Sequence, residues 1–304
     1  QEGYKFVVST LAADVALSYY ELLALDNELI VTRENAKKEN EVLAFIKAQR
    51  EVGKVNELAV QQFTAQYFNL LILEKEILQN IRKEENRLNF LLGRYPTPIN
   101  RSQSSLYTSN QYLSKGISSS VLENRPDIKA ASLRIIASKF DLSAAKAAFY
   151  PSFTINAGYG LQAFNTRYFF RSPESIAYNT IGNLVAPLVN KSAIKSQFNA
   201  AKINQLEAMY AYQQNILNAY VDVVNDFTEI DHLEEVKKLT INKAKLYEQA
   251  VESSFDLYKA ARVPYYDVLL SQQNALQTNI ELIRIHKRSK ISLIQLFKNL
   301  GGKW

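Results

Sequence analysis

Glycine and proline are spread very unevenly along this 304-residue chain, and their scarcity in two stretches of about a hundred residues marks those stretches as long helices. Residues 1–92 contain only Gly3 and Gly53 and no proline; residues 190–300 contain no glycine and one proline, Pro264. Proline removes a backbone donor and clashes with the preceding turn, and glycine costs backbone entropy, so sequence lacking both reads as two helical arms. In the second arm Ile216, Tyr220, Val223, Phe227 and Ile230 recur at steps of four and three, which predicts a coiled-coil seam through them. A single helix over residues 192–260 would run on the order of 100 Å at ~1.5 Å per residue. That is far more than a globular core requires, and helices of this length are stable only when packed side by side.

Between the arms the pattern changes. Residues 97–120, rich in Ser, Asn, Thr and Gln, read as a linker. Arg125-Pro126-Asp127 then starts a helix, because proline fits the first helical turn and an early acid suits the positive N-terminal dipole. The helix is alanine-rich (Ala130, Ala131, Ala137, Ala144, Ala145, Ala147, Ala148), which allows close helix approach, and Pro151 stops it. From Phe153 to Leu161 every odd residue is apolar and every even one polar or glycine, a period of two with one apolar face. Phe153, Ile155, Tyr159 and Leu161 head that face. A second extended stretch, 176–189, is apolar at Ile176, Tyr178, Leu184, Ala186 and Leu188, with Thr180 and Gly182 blurring the alternation. Each stretch holds roughly the 9–11 residues of a tilted membrane-crossing strand. Two readings stand: a hairpin packed on the helices, or strands that join edge to edge with other copies into a barrel. An isolated two-stranded hairpin is marginal in water, whereas closure removes the exposed edges.

An internal repeat organises the whole. Shifting the chain by 208 positions places Gly93 on Gly301, Leu92 on Leu300, Val60 on Val268, Val55 on Val263, Ala36 on Ala244, Thr32 on Thr240, Leu25 on Leu233 and Asp14 on Asp222. Both copies interrupt their helix at the same point, Val52-Gly53-Lys54-Val55 and Ala260-Ala261-Arg262-Val263-Pro264. Each arm is therefore a helical hairpin. Residues 121–208, with the strand pair, have no counterpart before Gln1, so an equivalent segment is expected upstream. The expected divisions are a first helical hairpin at 1–96, a linker at 97–125, a helix at 126–150, a β-hairpin at 151–189 and a second helical hairpin at 190–304.

Several ordered motifs carry a family resemblance. Leu122-x-x-Arg125-Pro126-Asp127-Ile128, Ala144-Ala145-x-Ala147-Ala148-Phe149-Tyr150-Pro151-Ser152, Ala186-Pro187-Leu188 and the closing Leu300-Gly301-Gly302-Lys303-Trp304 occur in the order found in TolC-type outer-membrane efflux proteins. The chain resembles the OprM-like subgroup of that family over nearly its whole length, as an N-terminally incomplete member. The resemblance implies a mainly α fold in which long antiparallel helical hairpins form an α-barrel segment, and an inserted β-hairpin contributes to a trimeric outer-membrane β-barrel. It implies a homotrimer in the outer membrane, with most of the chain in the periplasm. The duct would be passive and would receive small molecules from an inner-membrane pump through a periplasmic adaptor protein.

The resemblance also assigns residues. The hairpin tips that meet the adaptor are Val52, Gly53 and Val55, and Ala260, Ala261 and Val263. Alanine tolerates a left-handed turn poorly, so the second tip, with Ala261 in place of glycine, is expected to be shaped differently. The periplasmic gate maps to Tyr258, with Leu270 and Gln273 where relatives carry an aspartate and an arginine. Asp267, beside Tyr265 and Tyr266, is a candidate substitute or simply an acid serving the helix dipole. Asp222 and Asp226, spaced i,i+4, either line an aqueous lumen or sit on a solvated face.

Composition excludes other classes. There is no cysteine, so thiolate metal sites and cysteine nucleophiles are ruled out. The net charge of +6 is interspersed with acids and forms no tract suited to nucleic acid. His232 and His286 stand alone without ligand spacing, and no nucleophile–base pattern or phosphate-binding glycine loop occurs. No catalytic, cofactor or metal site is expected, and no run of about 20 apolar residues suggests a membrane-spanning helix. The alternative is a periplasmic adaptor or structural coiled-coil protein without a pore, which shares the helical arms but does not need an apolar strand face.

Overall fold

Helices form wherever the breakers are missing, and the computed structural model, which describes residues 2–101, 106–107, 124–173, 175–186 and 190–301, follows that punctuation. The elements are α1 (Glu2–Glu51), α2 (Glu57–Leu91), α3 (Pro126–Ala147), β1 (Ser152–Leu161), β2 (Ile176–Val185), α4 (Lys191–Lys259) and α5 (Tyr265–Asn299). Leu122, Pro187, Leu188, Gly302, Lys303, Trp304 and most of the 97–120 linker lie outside the described residues. Two compact units result: Gln1–Asp127 with Asn218–Trp304, and Ile128–Leu217.

In the first unit, α1 buries Leu22, Leu29, Ala36 and Leu43 along one line and Ser18, Thr32, Glu39 and Ile46 along the adjoining one. Each line steps by sevens, and together they make a coiled-coil seam. Helix α2 answers with Val60, Phe63, Leu70, Ile77, Ile81 and Leu88. Leu22, Leu29, Ile77, Ile81 and Leu88 join in one apolar cluster; Leu43, Ile46, Val60, Phe63 and Leu269 join in another towards the turns. The repeat holds in three dimensions. Helices α2 and α5 both span 35 residues, and 208 positions separate their starts (57 and 265) and their ends (91 and 299). Ala36 and Ala244, Thr32 and Thr240, and Val60 and Val268 are buried in both copies.

Two features of the long helices bear on what their sequence suggests. The buried line of α4 runs through Ala219, Leu233, Thr240 and Ala244; of the expected seam, Val223, Phe227 and Ile230 are half-buried and Ile216 and Tyr220 exposed in the single chain. Three of those four buried residues are small, which allows close helix approach on that face. Helix α1 also contains an 18-residue window of mean hydropathy 1.3, enough by length and composition for a membrane span, with only 22% of it buried. Phe6, Val7, Val8 and Leu11 near its start are exposed.

The second unit carries the strands. β1 and β2 pair antiparallel over ten residues each, from Ser152 opposite Val185 to Leu161 opposite Ile176. Directly opposed residues share a face. One face therefore carries Phe153/Leu184, Ile155/Gly182, Ala157/Thr180, Tyr159/Tyr178 and Leu161/Ile176. The other carries Thr154/Asn183, Asn156/Ile181 and Gly158/Asn179. The Asn179 side chain lies across Gly158, where a Cβ would stand 2.6 Å from its Oδ1. The second strand ends at Val185, so Ala186 falls outside the sheet. Helix α3 buries Ile128, Ala131 and Ser138, and leaves Leu133, Ile136 and Phe140 exposed.

Candidate functional site

Each helical hairpin turns through one left-handed residue. At the first tip, Gly53 (φ +70°) donates its N–H to the Arg50 carbonyl at 2.9 Å, and Lys54 donates to Gln49 at 2.9 Å. At the second, Ala261 (φ +55°) donates to the Tyr258 carbonyl and Arg262 to Leu257, both at 2.9 Å. These are the same two bonds, 208 positions on, so the expected difference in shape is corrected. The paired bonds satisfy two otherwise orphaned carbonyls and hold Ala261 in a conformation that costs an L-residue about 1–2 kcal/mol. The turns differ just beyond. The Asn56 side chain caps α2 by accepting from the Ala59 N–H at 3.1 Å, whereas Pro264 starts α5 with no side-chain cap and Asp267 in the first turn.

Between the two turns lies a cleft of about 670 Å³. Phe45, Val55, Tyr258, Val263 and Pro264 give it apolar walls, and Lys54 and Arg262 a basic rim. Lys259, also in the wall, lies 4.2 Å from the centre of the Phe255 ring and pairs with Asp256. The arrangement offers an apolar seat with positive charge around it and no nucleophile–base pair.

The gate candidates separate into two groups. Tyr258 is half-buried against the Leu43–Phe63–Leu269 cluster with Tyr265, and burial pushes its phenol above the ordinary range. Tyr266 and Leu270 are exposed. Gln273 donates to the Gln66 side chain at 3.0 Å, joining α5 to α2. Asp267 is half-buried in the first turn of α5, where its backbone carbonyl accepts from the Ser271 hydroxyl at 2.7 Å.

Asp222 and Asp226 share a face of α4, and both are engaged. Asp226 accepts from the Asn299 amide at 2.7 Å, and Arg125 lies 3.7 Å from Asp222. Burial pushes the Asp226 carboxyl up, with Asp222 adding to the effect; the Asn299 bond and Arg125 oppose it. Arg125 also grips Asp127 through two bonds (3.2 and 2.9 Å) and donates to the Asn299 carbonyl at 3.1 Å. The Arg-Pro-Asp motif thus ties the start of α3 to the C-terminal end of α5.

On the strand pair, Phe153, Ile155, Tyr159 and Leu161 are all exposed on the face predicted for them, and Tyr159 and Tyr178 are 79% and 84% accessible. Sequence reasoning missed Glu39, a buried acid on the α1 seam whose carboxyl burial raises to about 7. Counting sevens back from Ile46 would have found it. Among the described residues, no group of three or more His, Cys, Asp or Glu side chains is placed to hold a metal ion.

The family described as outer membrane efflux protein matches residues 1–94 and 117–302. The chain is 25% identical over 305 residues to the probable outer membrane lipoprotein SilC of Salmonella typhimurium, covering 100% of this chain and 66% of that protein. It is 27% identical over 304 residues to the pyoverdine export outer membrane protein OpmQ of Pseudomonas putida, covering 97% of this chain and 62% of that one. The chain therefore spans just under two thirds of the length of these relatives. Its fold is that of the open-state MtrE outer membrane channel of Neisseria gonorrhoeae, with TM-score 0.88 at 20% identity over 99% of this chain and 68% of that one.

Proposed function

Because the chain belongs to the outer membrane efflux protein family, we propose that it forms part of the outer-membrane channel of a tripartite efflux or export system, a passive duct for small molecules across the periplasm and outer membrane. The observation that carries this reading is the strand pair. Its apolar face is open from Phe153 to Leu161, and among the described residues the sheet has no third strand. Strands with an apolar outer face and unpaired edges are completed by joining other copies in a closed barrel within lipid. Proteins of this family are channels, and a homotrimer is the assembly proposed here.

The tandem helical hairpins, 1–96 and 190–304, are read as the periplasmic α-barrel part and 151–189 as the barrel part. The two tips, with their shared turn geometry, are read as the contact for a periplasmic adaptor protein, through which an inner-membrane pump delivers its cargo. Tyr258, Tyr266, Asp267, Leu270 and Gln273 are read as lining the periplasmic gate. The acids at 222 and 226 brace the junction with Arg125 and Asn299. A pore-free periplasmic coiled coil lacks any use for the open apolar strand face. Fractionation of cells expressing the full-length product tests the proposal: recovery with outer membranes is expected, and recovery in the soluble extract overturns it.

A further inference from the structure

A cavity of about 310 Å³ lies within the first unit, walled by α1, α2, α4 and α5. Glu39 reaches it from a seam position of α1 and is only 3% exposed. Its Oε1 has no hydrogen-bond partner, and neither has Oε1 of Gln272, which lines the same cavity from α5. A buried carboxylate with an unpartnered oxygen is strongly disfavoured, so the site calls for a proton on Glu39 or for a cation beside it. The walls favour a cation. Helix α4 contributes Glu248 and Glu252, and α1 adds Glu34 with one opposing charge, Lys38; α2 and α5 present only uncharged side chains.

The chemistry of the occupant follows from what the cavity lacks. Among the described residues, no three carboxylates or imidazoles are placed to ligate a metal ion directly. The unpartnered atoms are oxygens, so the complementary ligand brings N–H donors along with its charge. We propose that this cavity binds a small ammonium-bearing ligand, a primary amine or short-chain diamine, with Glu39 as its buried counter-ion and Gln272 as a second acceptor. The site stands independently of the channel reading, since it lies wholly within one unit of one chain. The rival account is a neutral Glu39 that only fixes the register of the helices.

Calorimetric titration of the purified protein with methylammonium, diaminobutane and tetramethylammonium separates the two. At about pH 8, above the raised Glu39 value near 7, methylammonium and diaminobutane should bind saturably. Tetramethylammonium, equally charged but without N–H donors, should not. Glu39→Gln should weaken diaminobutane binding by about tenfold or more, with Glu39→Asp keeping more of it than Glu39→Gln; circular dichroism checks that both variants stay folded. Lowering the pH to about 6 protonates Glu39 and should weaken binding likewise in the wild type, but not further in Glu39→Gln. Absence of saturable binding at pH 8, binding untouched by Glu39→Gln, or equal binding of tetramethylammonium overturns the proposal.

Discussion

At the scale of single residues, the two helix tips show tertiary structure overruling local preference. Gly53 and Ala261 occupy equivalent turns with φ of +70° and +55° and make equivalent bonds. For alanine the left-handed conformation costs about 1–2 kcal/mol, while two backbone hydrogen bonds contribute about 1 kcal/mol each and the flanking helices add their packing. Ala261 is therefore held but strained. Replacing it by glycine removes the strain and returns part of the gain as unfolded-chain entropy, so Ala261→Gly should stabilise by about 0.5–1 kcal/mol. Gly53→Ala should destabilise by about 1 kcal/mol, since nothing stands near a Cβ there and only the backbone conformation objects. Midpoints of urea unfolding followed by circular dichroism measure both, and equal signs for the two variants would show that the tips are not equivalent. The expectation of a differently shaped second tip weighed alanine's preference alone. Glu39 was open to reading, because its place in the α1 seam is a matter of counting sevens. The Asp226–Asn299 bond was not, because its partners stand 73 positions apart and no local pattern joins them.

At the scale of elements, α2 and α5 are the same helix written twice, yet they end in different surroundings. Each finishes with a left-handed glycine, Gly93 at +67° and Gly301 at +72°, donating to the Phe90 and Lys298 carbonyls respectively. Around Gly93 there is open space, whereas a Cβ on Gly301 would lie 3.0 Å from both the Arg125 nitrogen and the Asn124 carbonyl carbon. Both contacts are backbone, which cannot rotate aside. Gly93→Ala should therefore cost about 1 kcal/mol for conformation alone, and Gly301→Ala about 2–3 kcal/mol, with overpacking added. A thermal unfolding series containing both variants compares them directly; equal losses would mean that the Arg125 segment does not rest on Gly301. The element order, the tandem hairpins and the gapless offset were legible because helix breakers are local marks. The work of Arg-Pro-Asp was not. Its arginine reaches an α5 carbonyl 174 positions away, placing a cation at the negative end of that helix, and the sequence shows only that the motif starts α3.

At the scale of the whole molecule, the question is what covers the apolar surface that one chain leaves open. Strand alternation was legible, though not the register: the odd apolar residues of β1 meet Ile176, Tyr178 and Leu184 on one face, with Thr180 and Gly182 as the gaps foreseen in the pattern. Sequence cannot show which surface that face meets, because alternation is the same for a soluble hairpin as for a lipid-facing one. The exposed set gives the size of the energy at stake. Phe153, Ile155, Tyr159, Leu161, Tyr178 and Leu184 all stand in the open. Full burial of such side chains contributes about 1.5–3 kcal/mol each, so leaving six of them in water forgoes on the order of 10 kcal/mol, as much as the net stability of many domains. Among the described residues nothing covers that face, and lipid is the cover proposed for it. Arginine placed on a lipid face costs about 2–4 kcal/mol at the bilayer midplane, and on the opposite face of a barrel strand far less. Ile155 and Thr154 are neighbours in β1 that point to opposite faces. Both are β-branched, so replacing either by arginine sacrifices similar strand preference. Ile155→Arg should lose recovery with outer membranes and co-flotation with phospholipid vesicles, while Thr154→Arg keeps both and each variant retains its helical circular dichroism. Equal behaviour of the two would mean that the alternating face does not meet lipid, and the strand pair would then have to be buried against protein.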